Sequence, residues 1–153
     1  MILIAHRGNT NGPNPSKENH PDYITEAISK GYSVEVDLWC IENTWVLGHD
    51  MPEYEIKLDF LDNFSMLTYC WYHTKNLEAL QVLSSGQKYS DWKYFWHDQD
   101  DYTLTSNKKI WTFPNKHVTL DCVIVCNNKQ ETLKMAKKNI FGVCSDYVAE
   151  VKK

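Results

Sequence analysis

Residues Ser33–Cys40 read SVEVDLWC, and this stretch decides the fold. Val34, Val36 and Leu38 alternate with Glu35, Asp37 and Trp39, the period of two that marks a strand. The alternation puts Glu35 and Asp37 on one face. Two neighbouring carboxylates repel each other, and each costs several kcal/mol to desolvate if buried without a partner. A cation between them offsets both costs, and a hard divalent metal does so most directly. The competing expectation is a half-exposed strand whose acidic face lies in water.

The whole chain has 153 residues, enough for one domain with its own core. Its net charge of -4 and the lack of a long basic run argue against general nucleic-acid binding. No apolar run is long enough for a membrane span. Met1–Ala5 is apolar, but it has no charged leader and is stopped at once by His6 and Arg7, so it does not read as a signal peptide. Cys40, Cys70, Cys122, Cys126 and Cys144 are odd in number, lie in or beside strand-like runs and form no CxxC. They read as reduced core residues of a cytoplasmic protein. Six Trp and nine Tyr, many of them between Tyr69 and Trp111, are expected in a core, with some walling a ligand cleft.

Outward from the central stretch, Ile2–Ala5 reads as a buried first strand ending in His6, Arg7 and Gly8. Asn9–Asn19 is a polar loop. Pro21, with His20 as cap, opens a helix carrying Ile24, Ala27 and Ile28, and Gly31 stops it. After the central strand, Glu42 and Asn43 turn the chain into a return strand, Thr44–Gly48, which ends at His49 and Asp50. Met51–Phe64 reads as loop with one helical turn, and Met66–Tyr72 as strand. Thr74 is a candidate cap for a helix carrying Leu77, Leu80 and Leu83. Lys93–His97, Lys109–Phe113, Leu120–Cys126 and Phe141–Ser145 read as further strands, with an acidic loop over Asp98–Asp101. Asn128 and Glu131 form a capping-box-like start to a helix running to Lys138. Short strands alternating with a few helices predict a mostly parallel α/β sheet of about seven strands plus the hairpin return.

Four motifs stand in order: IAHRGN at Ile4–Asn9, EN at Glu18 and Asn19, VEVDLW at Val34–Trp39 and VLGHD at Val46–Asp50. In order and spacing they resemble the glycerophosphodiester phosphodiesterase family, phospholipase-C-like enzymes with a TIM-barrel fold. Cys144–Tyr147 (CSDY) resembles the closing strand of that family. The resemblance implies a compact, abridged TIM-type (β/α) barrel with few outer helices, because full barrels run to ~250 residues. It implies that His6 and His49 act as general acid and base, that Arg7 and Lys75 contact phosphate, and that Glu35 and Asp37 bind one magnesium or calcium ion. The small substrate would be a phosphodiester. Where the family carries ExK on its third strand, this chain reads Cys70–Lys75 (CWYHTK), so that His73 stands in place of a carboxylate. If His73 is a ligand, manganese or zinc becomes a candidate, because imidazole suits them better than magnesium.

The chemistry of these residues stands beside the resemblance. Two imidazoles flanking a phosphorus can deprotonate the attacking oxygen and protonate the departing one. A metal and Arg7 would offset charge on the non-bridging oxygens. Arg7 also has a plainer partner in Glu18, and Lys75 can be a solvated residue of a first helical turn. His97 and Asp100 are further candidates for the site. Two other functions fit the same residues: a zinc or manganese metallophosphatase using His6, His49, His73 and His97, and a phosphate- or sugar-binding module without turnover.

Overall fold

The central stretch forms strand β2, which runs over Ser33–Ile41 and is buried on both faces. Val34, Val36, Leu38 and Cys40 pack outward into the larger hydrophobic cluster. Glu35 and Asp37 point the other way and are 2% and 0% exposed, so the acidic face does not lie in water. The structure, a computed structural model, describes residues 1–153.

Strand β1 (Ile2–His6) runs parallel to β2, with His6 opposite Glu35. Helix α1 (Pro21–Ser29) links them, with Pro21 in its first turn and the His20 ring accepting from the Asp22 N–H. β3 (Thr44–Leu47) returns antiparallel through a turn at Glu42 and Asn43, and β4 (Tyr54–Ile56) adds outside it. Helices α2 (Leu58–Leu61) and α3 (Phe64–Tyr69) follow. β5 (Cys70–Thr74) lies parallel on the far side of β2, helix α4 (Leu77–Ser85) crosses over, and β6 (Lys93–Phe95) pairs with β5. β7 (Tyr102–Leu104) and β8 (Ile110–Thr112) form an antiparallel pair. β9 (Cys122–Cys126), helix α5 (Lys129–Met135) and β10 (Gly142–Ser145) bring the chain back beside β1.

The expected TIM-type barrel does not form. The strands make one mixed ten-stranded sheet in the shape of a half-barrel, in which β6 pairs only with β5 and β7 only with β8. A (β/α) barrel needs a crossover helix between successive parallel strands. Here α1, α4 and α5 serve in that way, the connection from β2 to β5 runs through β3, β4 and the short helices α2 and α3, and β3, β4 and β7 run antiparallel. Beyond β6 the partner is the turn at Thr105–Lys109 rather than a strand: the Ser106 N–H donates to the Tyr94 carbonyl at 2.9 Å.

Several local expectations also change. Met66–Tyr72 is not one strand: Asn63 accepts from the Met66 N–H and starts α3, and the strand begins only at Cys70. The α4 cap is Asn76, not Thr74, whose hydroxyl donates to the Phe95 carbonyl. Met51–Phe64 contains β4 as well as a helical turn, Tyr102–Leu104 forms an edge strand, and α5 ends at Met135 rather than Lys138. No helix is long and apolar enough to cross a membrane. All five cysteines are free and buried.

Alternation along the strands sorts the two faces. Outside, helices α1, α3 and α4 cover β2 and β5, and α5 covers β9 and β10. Inside, Ile4, Trp71, Phe95, Trp111, Val123 and Cys144 form one cluster, each from a different strand. Two residues further along those strands stand His6, His73, His97, Phe113, Val125 and Asp146. An apolar floor thus supports a rim, polar at His6, His73, His97 and Asp146, at the carboxyl ends of the strands.

Candidate functional site

The rim encloses a cleft of about 430 Å³. His6, Arg7, Glu35, His49, His73 and Lys75 line one side of it, and His97, Asp98, Trp111, Phe113, Pro114, Val125 and Asn127 line the rest. Every residue expected at the site except Asp37 and Asp100 lines this space, and Asp37 lies directly behind it.

Glu35 and Asp37 each have one oxygen engaged by the loop that follows β1, Glu35 by a backbone N–H and Asp37 by side chains. Glu35 Oε2 accepts from the Arg7 backbone N–H at 3.2 Å. Asp37 Oδ2 accepts from Asn19 Nδ2 at 2.8 Å and lies 3.1 Å from Arg7 Nε. Asn19 also accepts from the Asp37 N–H at 2.9 Å. The other two oxygens face His73, whose Nδ1 is 3.2 Å from Asp37 Oδ1 and 3.6 Å from Glu35 Oε1. One ligand atom from each of Glu35, Asp37 and His73 falls within 4.8 Å of the others, a set that could hold a metal ion, although acidic clusters are common without one. His97 is not in that set. Asp37 Oδ1 is buried and has no hydrogen-bond donor.

Cations crowd this pair. Arg7 spans Asp37 and Glu18, with Nη1 3.0 Å from Glu18 Oε2, so the plainer partnership holds and a second one joins it. Lys75 Nζ is 3.5 Å from Asp37 Oδ1, and its side chain is mostly buried, so it is not the solvated lysine of a helical turn. Burial works against charge on Asp37, but the close imidazole of His73, then Arg7 and Lys75, hold its carboxyl well below the ordinary range. Burial likewise disfavours the charged form of His73, yet Asp37 and Glu35 outweigh it and raise the imidazole to about 9. Its Nε2 lies 2.7 Å from the His97 carbonyl oxygen, and its ring stacks on Phe95 at 5.1 Å.

The two expected acid/base groups differ in setting. His6 Nδ1 bonds Asp146 Oδ1 at 2.9 Å, and its Nε2 is 3.9 Å from Glu35 Oε2. Burial lowers the His6 value, but the Asp146 hydrogen bond and the Glu35 charge outweigh it and raise it. His49 sits at the open edge, with Nδ1 2.7 Å from Asp50. His97 lines the cleft, but neither ring nitrogen has a partner, and burial and His73 lower its value. Asp100 is exposed and does not line the cleft.

Three residues carry more than their sequence positions suggested. Asn9 Nδ2 bridges Glu18 and Asp146, Asn19 seats Asp37, and Asp146 orients His6. For Asp146 a signal exists, because it stands two residues beyond the inward-facing Cys144. Asn9 and Asn19 lie in an irregular loop with no periodicity to read. No protein-family model and no curated protein matches the chain.

Proposed function

We propose that the protein is a metal-dependent hydrolase of small phosphodiesters, acting through His6 and His49. The observation that carries this is the placing of both histidines, Arg7 and Lys75 on one cleft around a buried Glu35–Asp37 pair whose free oxygens face His73. A divalent ion held by Glu35, Asp37 and His73 would act as a Lewis acid on the non-bridging oxygens. Arg7 and Lys75 bring positive charge to the same side, where it offsets the charge gained as a nucleophile adds to phosphorus. His6 donates Nδ1–H to Asp146, which leaves Nε2 as the atom that exchanges a proton. Asp146 and Glu35 favour the charged form of His6 over the effect of burial, and its Nε2 gives a proton to the departing alkoxide as the P–O bond breaks. His49 takes the proton of the attacking oxygen, either water or a hydroxyl next to the phosphate. The motif resemblance to glycerophosphodiester phosphodiesterases supports the same reading for His6, Arg7, Glu35, Asp37 and His49, with His73 standing where that family carries a carboxylate.

The test is hydrolysis of an activated phosphodiester and of glycerophosphodiesters across a series of divalent metals. His6→Ala and His49→Ala should each lower the rate by ~10²–10⁴, the usual worth of a general acid or base. Equal rates in all three proteins would remove the histidines from the mechanism. Lack of turnover with every metal and substrate would leave a binding module.

A further inference from the structure

We propose that His73 binds the metal through Nδ1, and that the site therefore takes a first-row transition ion of the manganese-to-zinc class in preference to magnesium or calcium. The proposal rests on the metal-dependent reading above. Three observations carry it.

The first is the ring's protonation pattern. His73 Nε2 lies 2.7 Å from the His97 carbonyl oxygen, which can only accept, so Nε2 carries a hydrogen. In a neutral ring the Nδ1 lone pair then faces Asp37 Oδ1 at 3.2 Å and Glu35 Oε1 at 3.6 Å. A lone pair aimed at two anions is repelled, so the gap requires a cation, either a proton on Nδ1 or a metal.

The second is the division of labour between the carboxylate oxygens. Glu35 Oε2 and Asp37 Oδ2 are engaged by Arg7 and Asn19, whereas Asp37 Oδ1 is buried and accepts no hydrogen bond. His73 Nδ1, at 3.2 Å from Asp37 Oδ1 and 3.6 Å from Glu35 Oε1, is near the spacing of a coordination sphere, where ligands 2.0–2.2 Å from an ion stand roughly 3–3.5 Å apart, and all three side chains bring a ligand atom within 4.8 Å of the others. Lys75 Nζ, 3.5 Å from Asp37 Oδ1, is the group that must move when the ion enters.

The third is the rigidity of the ring. A ligating histidine characteristically donates its other N–H to a carbonyl or carboxylate, which fixes its tautomer and raises its basicity. The His97 carbonyl supplies that partner, and Phe95 stacks on the ring at 5.1 Å with planes 11° apart. Magnesium demands oxygen ligands and gives up water reluctantly, whereas imidazole favours the later first-row ions.

The experiment uses the full chain, stripped with chelator and reloaded. Pulsed EPR of the manganese-loaded protein should show a directly coordinated imidazole nitrogen, retained in His49→Ala and lost in His73→Glu. Titrations with magnesium, manganese and zinc should show His73→Glu reducing the manganese-over-magnesium preference by about 10–100-fold, the scale on which a ligand's surroundings alter metal affinity. Bound manganese without nitrogen coupling would overturn the proposal and leave the metal-dependent hydrolase standing on a carboxylate site. Failure of every ion to bind would also overturn it. Phosphodiester turnover persisting in chelator would then remove the metal from the function as well. Should His73→Glu not fold, the wild-type spectrum, with histidine labelled by nitrogen-15, decides alone.

Discussion

At the scale of single residues, Asp37 is the most heavily engaged charge at the site. It is fully buried and faces Asn19, Arg7, His73 and Lys75. Such a group is tolerated only while its partners remain, because an uncompensated buried charge costs about 3–5 kcal/mol. Its pairing with His73 makes the stability of the metal-free protein depend on pH. The folded His73 value, about 9, lies above the ordinary 6.5, so its contribution is complete below pH 6.5 and is lost as pH rises towards 9. The folded Asp37 value lies below 3.8, so its contribution is complete above 3.8 and is lost as pH falls beneath it. Both limbs belong to one ion pair. Urea unfolding in chelator should therefore give the highest midpoint between these two ordinary values, with a decline from pH 6.5 to 9. His73→Asn should flatten that decline. A wild-type midpoint that stays level across the alkaline range would contradict the pair.

At the scale of elements, the site depends on short helices whose caps do more than end them. Asn76 caps α4 by accepting from the Ala79 N–H, and it also bonds β2 twice, taking the Cys40 N–H at 3.1 Å and giving Nδ2–H to the Cys40 carbonyl at 2.6 Å. It ties α4 and β5 to the strand that carries Glu35 and Asp37. Asn128 caps α5 through the Glu131 N–H and makes no side-chain bond to a strand. A cap alone is worth about 0.5–2 kcal/mol. Two further bonds at about 0.5–1.5 kcal/mol each put Asn76→Ala at about 1.5–5 kcal/mol. Asn128→Ala should cost about 1 kcal/mol. Denaturant unfolding of the two variants checks the difference, and equal costs would mean that the bonds to β2 contribute nothing. Gly48 acts on the other side of the cleft. At φ +150° its Cβ position is filled by the Met51 carbonyl, and no side chain fits where the hairpin hands over to His49.

At the scale of the whole molecule, the half-barrel works as a floor and a rim. The floor is aromatic where ladder pairing fails: Phe95 on β6 and Trp111 on β8 stack with centroids 4.2 Å apart, and Trp71 lies 6.0 Å from Trp111. Side-chain packing there takes the place of the strand pairing that a closed barrel would have. Trp111→Ala should cost about 3–5 kcal/mol, as large-to-small changes in a packed core do. It should also lower the proposed phosphodiester turnover, because Trp111 both floors the cleft and sets the rim above it. Leu104→Ala, 69% exposed on the edge strand β7, should change stability by less than about 0.5 kcal/mol. Thermal and denaturant melts of both variants test the contrast, and similar losses would show that the floor does not hold the sheet together.

How much of this was legible follows from the range of each interaction. Period-two alternation and short apolar runs are both local, so the strand at Ser33–Cys40, the shared face of Glu35 and Asp37 and the strands around Ile4 and Ile124 could be read from sequence alone. Prolines and caps are equally local, and α1 and α5 began where His20, Pro21 and Asn128 placed them. The strand expected at Met66–Tyr72 failed in its first four residues, Met66–Tyr69, which belong to helix α3 against the outer face of the sheet, where burial suits either period. Whether the strands closed could not be read at all, since closure depends on pairing between segments far apart in the chain. The site divides along the same line. Its carboxylates and histidines were visible as residue types at a spacing. The bonds from Asn19 to Asp37, from His6 to Asp146 and from His73 to the His97 carbonyl cross 18, 140 and 24 positions, and only the folded sheet brings them within reach. Sequence determined which side chains share a face, because that is a property of neighbouring backbone. Tertiary structure decided how the sheet ends and which atoms of Glu35, Asp37 and His73 remain free, because both are set by partners that meet only after the chain has folded.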